Sequence, residues 1–232
     1  VQTDSRTFNN NATTPTIYHY IGKAPTQRFG DGLPKPSSAI EVIVELEGIN
    51  TQLLFEEHNG TSYVPMTTDI SINTNSPGLR IIQGTVVATE NSDFIGANGK
   101  LIMTGGIYQT SETTNNVPQL GGVKTLTGGT IELNALGNQV LKGTEDYNSL
   151  TFSGSGTKTL TSGLPTASLD TLVTVKDDAI LELASNEFSG PAGLTMANNA
   201  RMRMSQLNVP LPQLDGTNAP YILGGVSTVE LY

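Results

Sequence analysis

The chain has 232 residues and a mass of 24.5 kDa, with 14% charged residues, a formal net charge of -9 and no cysteine or tryptophan. Without cysteine there are no disulfides and no thiolate metal sites, and an acidic chain without clustered Lys and Arg does not fit a nucleic-acid groove. Abundant glycine (25 residues) and short apolar runs separated by Thr, Ser and Asn describe a β-rich protein with a buried core, not a disordered chain.

In chain order, Val1 to Pro36 is polar and irregular. Val1 to Arg6 lacks the charged-then-apolar pattern of a signal peptide, so an export signal is expected outside this sequence. Ala39-Ile40-Glu41-Val42-Ile43-Val44-Glu45-Leu46 reads as the first long strand. Leu53 to Glu56 and Ser62 to Met66 read as shorter strands around a turn at Asn59-Gly60. Residues 1–77 are expected to form an irregular capping β segment, with a boundary near Ser76-Pro77-Gly78.

From residue 78 to 232 the runs come in pairs. Leu79 to Ile82 precedes Thr85 to Ala88 across Gly84. Leu101 to Met103 precedes Ile107 to Gln109 across Gly105-Gly106. Ile131 to Leu133 precedes Gln139 to Leu141, and Leu150 to Phe152 precedes Lys158 to Leu160 across Gly154-Ser155-Gly156. Leu172 to Val175 precedes Ile180 to Leu183 across Lys176-Asp177-Asp178, and Leu194 to Met196 precedes Arg201 to Met204 across Asn198-Asn199. Tyr221 to Leu223 precedes Thr228 to Leu231.

Pairs recurring about every 20 to 30 residues are the signature of a solenoid. No coil can enclose a core alone, and stacking the next coil buries the inward residues and satisfies the strand edges. The fold class expected is therefore all-β, a right-handed parallel β-helix, with antiparallel β-sandwich repeats as the alternative. Inward positions are expected at Leu101, Met103, Ile131, Leu133, Leu150, Phe152, Leu172, Ile180, Leu194 and Met202. Thr, Ser, Lys, Glu and Arg are expected outward. No run of 18 apolar residues occurs, so no membrane insertion is expected. Gly224 to Leu231 re-enters the pattern of Gly128 to Leu133, and the natural protein is expected to continue past Tyr232.

Two segments carry a family resemblance. Tyr147-Asn148-Ser149-Leu150-Thr151-Phe152-Ser153-Gly154-Ser155-Gly156-Thr157-Lys158-Thr159-Leu160, after Gly128-Gly129-Thr130-Ile131-Glu132-Leu133 and Asn138-Gln139, resembles a repeat of very large secreted surface proteins of Bacteroidetes. His19-Tyr20-Ile21-Gly22, Gln27 and Gly30-Asp31-Gly32-Leu33-Pro34 are similar to a second segment of the same proteins. The resemblance implies export through the type IX secretion machinery and display on the outer cell surface. It also implies a part in adhesion, gliding motility or biofilm.

The candidate chemical groups read more simply as structure. His19 and His58 lie far apart and have no ligand spacing with carboxylates. Asp177-Asp178 suits a turn. With Asp170 and Glu182 it could supply some calcium ligands, but no calcium-binding nonapeptide is present. Glu132, Lys158 and Glu182 are expected singly on outward faces of different coils, unlike the paired carboxylates of glycosidases. Gly154-Ser155-Gly156 precedes a strand and lacks the Lys-Ser/Thr of a phosphate loop. Asn9 to Asn11, Asn115-Asn116 and Asn198-Asn199 suit turns.

No catalytic, cofactor or metal residues are therefore assigned. The function expected is an extracellular structural or adhesive segment, with surface glycans or other cell-surface proteins as partners. The alternatives are a carbohydrate-binding or polysaccharide-degrading β-helix and a trimeric fibre.

Overall fold

A computed structural model describes residues 16–29, 40–47, 50–67, 69–72, 78–161, 169–186, 188–204, 213–214 and 216–232. Asn9 to Asn11, Gly30 to Pro34, Ala39 and Ser76-Pro77 lie outside the described residues. The chain is all-β, with parallel strands stacked as a β-helix of about 8 turns and no helix among the described residues.

The first coil holds β1 (Thr16–Gly22) and β2 (Thr26–Arg28), and the second β3 (Ile40–Leu46) and β4 (Gln52–Leu54). A hairpin, β5 (Glu56–His58) and β6 (Tyr63–Pro65), leaves the second coil before β7 (Ile70–Ser71). The third coil holds β8 (Gly78–Gln83), β9 (Thr85–Ala88) and β10 (Phe94–Ile95), and the fourth β11 (Leu101–Thr110) and β12 (Asn116–Val117). Then follow β13 (Lys124–Leu133) with β14 (Gln139–Leu141), and β15 (Tyr147–Phe152) with β16 (Thr157–Leu160). The last coils hold β17 (Leu169–Val175), β18 (Ile180–Ala184) and β19 (Ser189–Gly190), then β20 (Gly193–Met196), β21 (Arg201–Met204) and β22 (Gln213–Leu214). The chain closes with β23 (Ile222–Leu223) and β24 (Thr228–Leu231).

Contacts divide the chain into two compact units, Val1–Gln109 with Pro118–Gly129, and Thr110–Val117 with Thr130–Tyr232. In the first unit, β1, β3, β8 and β11 make one wall, while β2, β4 and β9 stack alongside. Tyr18 stands in register with Val42, and Val42 with Leu79. Leu79 in turn aligns with Leu101. Every member of that column is buried. The same parallel ladder thus runs on both sides of the boundary expected near residue 77. Strand β11 turns a corner within itself at Gly105-Gly106. Gly106 has φ +70, and a side chain there would meet Gly84 O at 2.6 Å, so both conformation and space require glycine. Four aromatic rings, Tyr20, Phe29, Phe55 and Phe94, pack edge-to-face or tilted inside the unit at 4.6 to 5.5 Å between centroids. Such pairs add to burial about 0.5–1.5 kcal/mol each.

In the second unit, Thr130–Leu133 of β13 begins a wall continued by β15, β17, β20 and β23. A second wall runs β12, β14, β16, β18, β21, β24. Ile131, Leu150, Val173 and Leu194 form one inward column, and Leu133, Phe152, Val175 and Met196 the next. Their neighbours Thr151, Thr174 and Thr195 stack in an outward column. The pairings between successive coils are parallel, which excludes the β-sandwich; β5 with β6 is the antiparallel pair among the named strands.

Eight of the expected inward residues are buried: Leu101, Met103, Ile131, Leu133, Leu150, Phe152, Leu194 and Met202. Leu172 and Ile180 are not; both are partly exposed. Leu172-Val173 and Ile180-Leu181 are adjacent apolar pairs, so alternation alone permits either phase. Register decides. Val173 aligns with Leu150, and Leu181 with Lys158, and the buried pair is Val173 and Leu181.

Candidate functional site

Lys158 corrects the sequence reading most sharply. Expected outward, it is 0% exposed. Its neighbours Thr157 and Thr159 face out and Leu160 faces in, so period two carries Lys158 inward with Leu160. Its Nζ donates to Ala135 O at 2.7 Å and Gly137 O at 3.1 Å. Burial lowers its pKa from 10.5 to about 8. One coil earlier, in register with it, Gln139 does the same work uncharged. Its amide donates to Thr110 O and Glu112 O at 2.9 and 3.0 Å and accepts from Ala135 N at 2.8 Å. Both side chains satisfy backbone groups in the corner that a buried coil cannot leave unpaired.

Glu132 is also not free on the surface. It is 7% exposed, accepts from Ser153 Oγ at 2.7 Å and pairs with Lys176 Nζ at 2.7 Å. Glu182 is outward as expected. It accepts from Ala184 N at 2.8 Å, and its hydrogen bond with Tyr232 raises that phenol's pKa. Asp177 and Asp178 are exposed in a turn closed by Ala179 N donating to Lys176 O. Asp178 has φ +62, as has Asn199 one coil later, the left-handed geometry that Asp and Asn tolerate best after glycine. Asp170 is exposed, and its backbone carbonyl accepts from Asn218. Among the described residues no three metal-ligating side chains converge.

The two histidines are not brought together. His19 faces outward from β1 and lies 3.0 Å from Glu45 Oε2. His58 ends β5 at the hairpin tip, with its ring edge-on to Tyr63 at 5.1 Å. The hairpin is braced from the coil before it. Arg28 from β2 lies over the Tyr63 ring at 4.2 Å and is held by Glu56 Oε2 at 2.5 Å. Tyr63 remains 52% exposed. An aromatic ring fixed in this way loses little freedom on meeting a ligand.

Sequence reasoning missed a buried polar knot. Asp93, fully buried, accepts hydrogen bonds from Phe94 N and from the phenol of Tyr108, and its own backbone N–H donates to Asp69. Gln119 stands 3.5 Å from its other oxygen. Asp93 comes in a Ser-Asp turn and Tyr108 in a Gln-flanked run, so no spacing links them; only coil stacking does.

The last coil differs from the one before it. Leu223, Val229 and Leu231 hold inward positions, in register with Met196, Met202 and Met204. They are 57%, 39% and 58% exposed, whereas those three methionines are at most 1% exposed. No protein-family model, curated protein or solved structure matches the chain.

Proposed function

We propose that the chain is an extracellular structural and adhesive segment of a large bacterial surface protein and performs no catalysis. The observation that carries this reading is the in-register parallel ladder. In the second unit each coil adds a strand to each of two parallel walls, and outward positions on these strands hold Thr151, Thr174, Thr195 and ion pairs such as Arg203–Glu230. A scaffold of this kind grows by repetition and leaves its outer face free to display contacts. Weak contacts repeated along such a face gain avidity without any strong individual site. The resemblance of Tyr147 to Leu160 to Bacteroidetes surface repeats supports the same reading, with type IX export, outer-surface display and a part in gliding or biofilm.

The test is adhesion measured at two valencies. Beads carrying many copies should adhere to glycan-coated or cell-coated surfaces that the free chain binds only weakly. Enzyme-like turnover of a polysaccharide, lost on Glu132→Gln or Asp178→Asn, would overturn the proposal. A carbohydrate-binding role has one observation in its favour, the half-exposed Tyr63 ring braced by Arg28. Loss of glycan binding on Tyr63→Ala alone would favour that second reading.

A further inference from the structure

The tip of the β5–β6 hairpin brings together the parts of a reaction. The dipeptide there is Asn59-Gly60, between paired residues His58 and Tyr63. Asn59 N donates to Ser62 O at 3.0 Å and closes the turn. Gly60 N donates to His58 Nδ1 at 3.1 Å, which requires the imidazole tautomer with its proton on Nε2. Asn59 Oδ1 accepts from Thr61 N at 3.1 Å, Thr61 Oγ1 at 3.0 Å and Ser62 N at 3.0 Å. His58, Asn59 and Gly60 are all exposed, and nothing lies within 4 Å of where a Gly60 side chain would stand.

We propose that Asn59-Gly60 is a self-modification site, at which the hairpin converts Asn59 to aspartate and isoaspartate through a cyclic imide. The Gly60 nitrogen gives its proton to His58 Nδ1 and forms a bond to Asn59 Cγ. Negative charge then develops on Asn59 Oδ1, where the Thr61 and Ser62 donors already point, as in an oxyanion hole. The Cγ–Nδ2 bond breaks, the leaving nitrogen takes the proton back from His58, and ammonia departs. Water opens the imide. Attack at Cγ gives aspartate, and attack at the main-chain carbonyl gives isoaspartate. The net change is one water consumed and one ammonia released, with no oxidant or other reactant.

The chain contains its own control. Asn98-Gly99 is the same dipeptide, with Asn98 exposed. There Gly99 is buried, its N–H is committed to Gly96 O at 3.1 Å, and a side chain at Gly99 would meet Leu120 and Ile72 O. The nucleophile is tied to a carbonyl instead of a base. Asn59 is therefore expected to react and Asn98 to persist.

The experiment incubates the full chain at neutral pH and follows both sites by peptide mass mapping and by isoaspartyl-specific methyl transfer. The Asn59 peptide should gain the mass of replacing NH2 by OH and become a methyl acceptor, while the Asn98 peptide stays unchanged. His58→Ala should slow the Asn59 reaction about a hundredfold or more, the lower end of the range for general base catalysis, and added imidazole should restore part of the rate. The same measurement on urea-unfolded chain needs no variant, and there Asn59 should react more slowly than in the folded protein. A folded rate no greater than the unfolded rate, or a His58→Ala rate equal to wild type, would overturn the proposal.

Discussion

Replacing Lys158 by Met tests whether a cation is held inside the solenoid. The side chain is fully buried and its folded pKa is about 8, against 10.5 as the ordinary value. Between those two pH values the unfolded chain holds a proton that the folded chain has released. Stability from this group therefore rises as pH rises through that window. At 1.36 kcal/mol per pK unit, the full difference is about 3 kcal/mol. Below pH 8 both states are protonated and the desolvation cost is fully present. In Lys158→Met the cost disappears, but Ala135 O and Gly137 O lose their donor, at about 1–3 kcal/mol for each buried group left unpaired. The two effects oppose each other near neutrality, so the variant is expected within about 2 kcal/mol of wild type at pH 7. As pH approaches 10 the neutral amine still donates, and the wild type should pull ahead by about 2.5 kcal/mol relative to that starting difference, most of the full value. Urea unfolding of both proteins from pH 7 to pH 10 reads this directly. Measurements stop there because the buried Tyr147 phenol has a pKa raised well above 10. Its ionisation in the unfolded chain lowers stability at higher pH. Parallel stability–pH curves for wild type and variant would refute a buried charge at Lys158.

Leu150→Ala should cost about 2–5 kcal/mol, because Leu150 is fully buried between Ile131 and Val173. Leu172→Ala, on the other face of the same wall, should cost less than about 1 kcal/mol. Equal losses in denaturant titrations would mean the register is wrong. A methyl group at Gly156 would lie 1.9 Å from Gly137 O, whereas one at Gly137 would meet only Thr113 Cγ2 at 3.4 Å. Gly156→Ala should therefore destabilise by about 3 kcal/mol and Gly137→Ala by much less, measured by thermal unfolding. Val229→Lys with Leu231→Lys should reduce binding of a hydrophobic dye while leaving the unfolding midpoint nearly unchanged, since both side chains are substantially exposed. A large loss of stability would show that these residues are covered.

The stacking of coils was legible because inward and outward residues alternate with period two and each run ends in a turn residue. Coil starts at Gly78, Leu101, Lys124, Tyr147, Leu169 and Gly193 lie roughly 23 residues apart, close to the period the strand pairs suggested. Phase was legible only where one apolar residue stood between polar ones. Leu150 between Ser149 and Thr151 has one solution, whereas Leu172-Val173 has two, and only pairing with Leu150 and Leu194 selects between them. By residue type Lys158 reads as outward, although the alternation from Leu160 places it inside. The hairpin was visible in Asn59-Gly60, but its partner Arg28 comes from the preceding coil and its role rests on contact, not spacing. The Asp93–Tyr108 pair was illegible for the same reason.

The polar interior also accounts for how a repetitive chain keeps one register. In a parallel ladder of similar apolar strands, a coil displaced along its neighbour would still bury leucine on leucine, so hydrophobicity discriminates weakly between alignments. Gln139 and Lys158 discriminate strongly. Each reaches back to particular carbonyls of the preceding corner, Thr110 and Glu112 for one and Ala135 and Gly137 for the other. A shift of one residue turns either side chain to the outer face and leaves its carbonyls unpaired; a shift of two moves the donor about 7 Å along the strand. Either error strands buried polar groups, and in the case of Lys158 leaves a desolvated cation without acceptors, a penalty larger than any gain from apolar contact in the shifted alignment. The glycine pair at Gly137 and Gly156 acts in the same sense, since only the native alignment sets one beside the other. From Leu181 onward the same inward column is apolar, with Met202 and Val229 following. Alignment there passes to the left-handed turns at Asp178 and Asn199, each two residues before the paired Ile180 and Arg201.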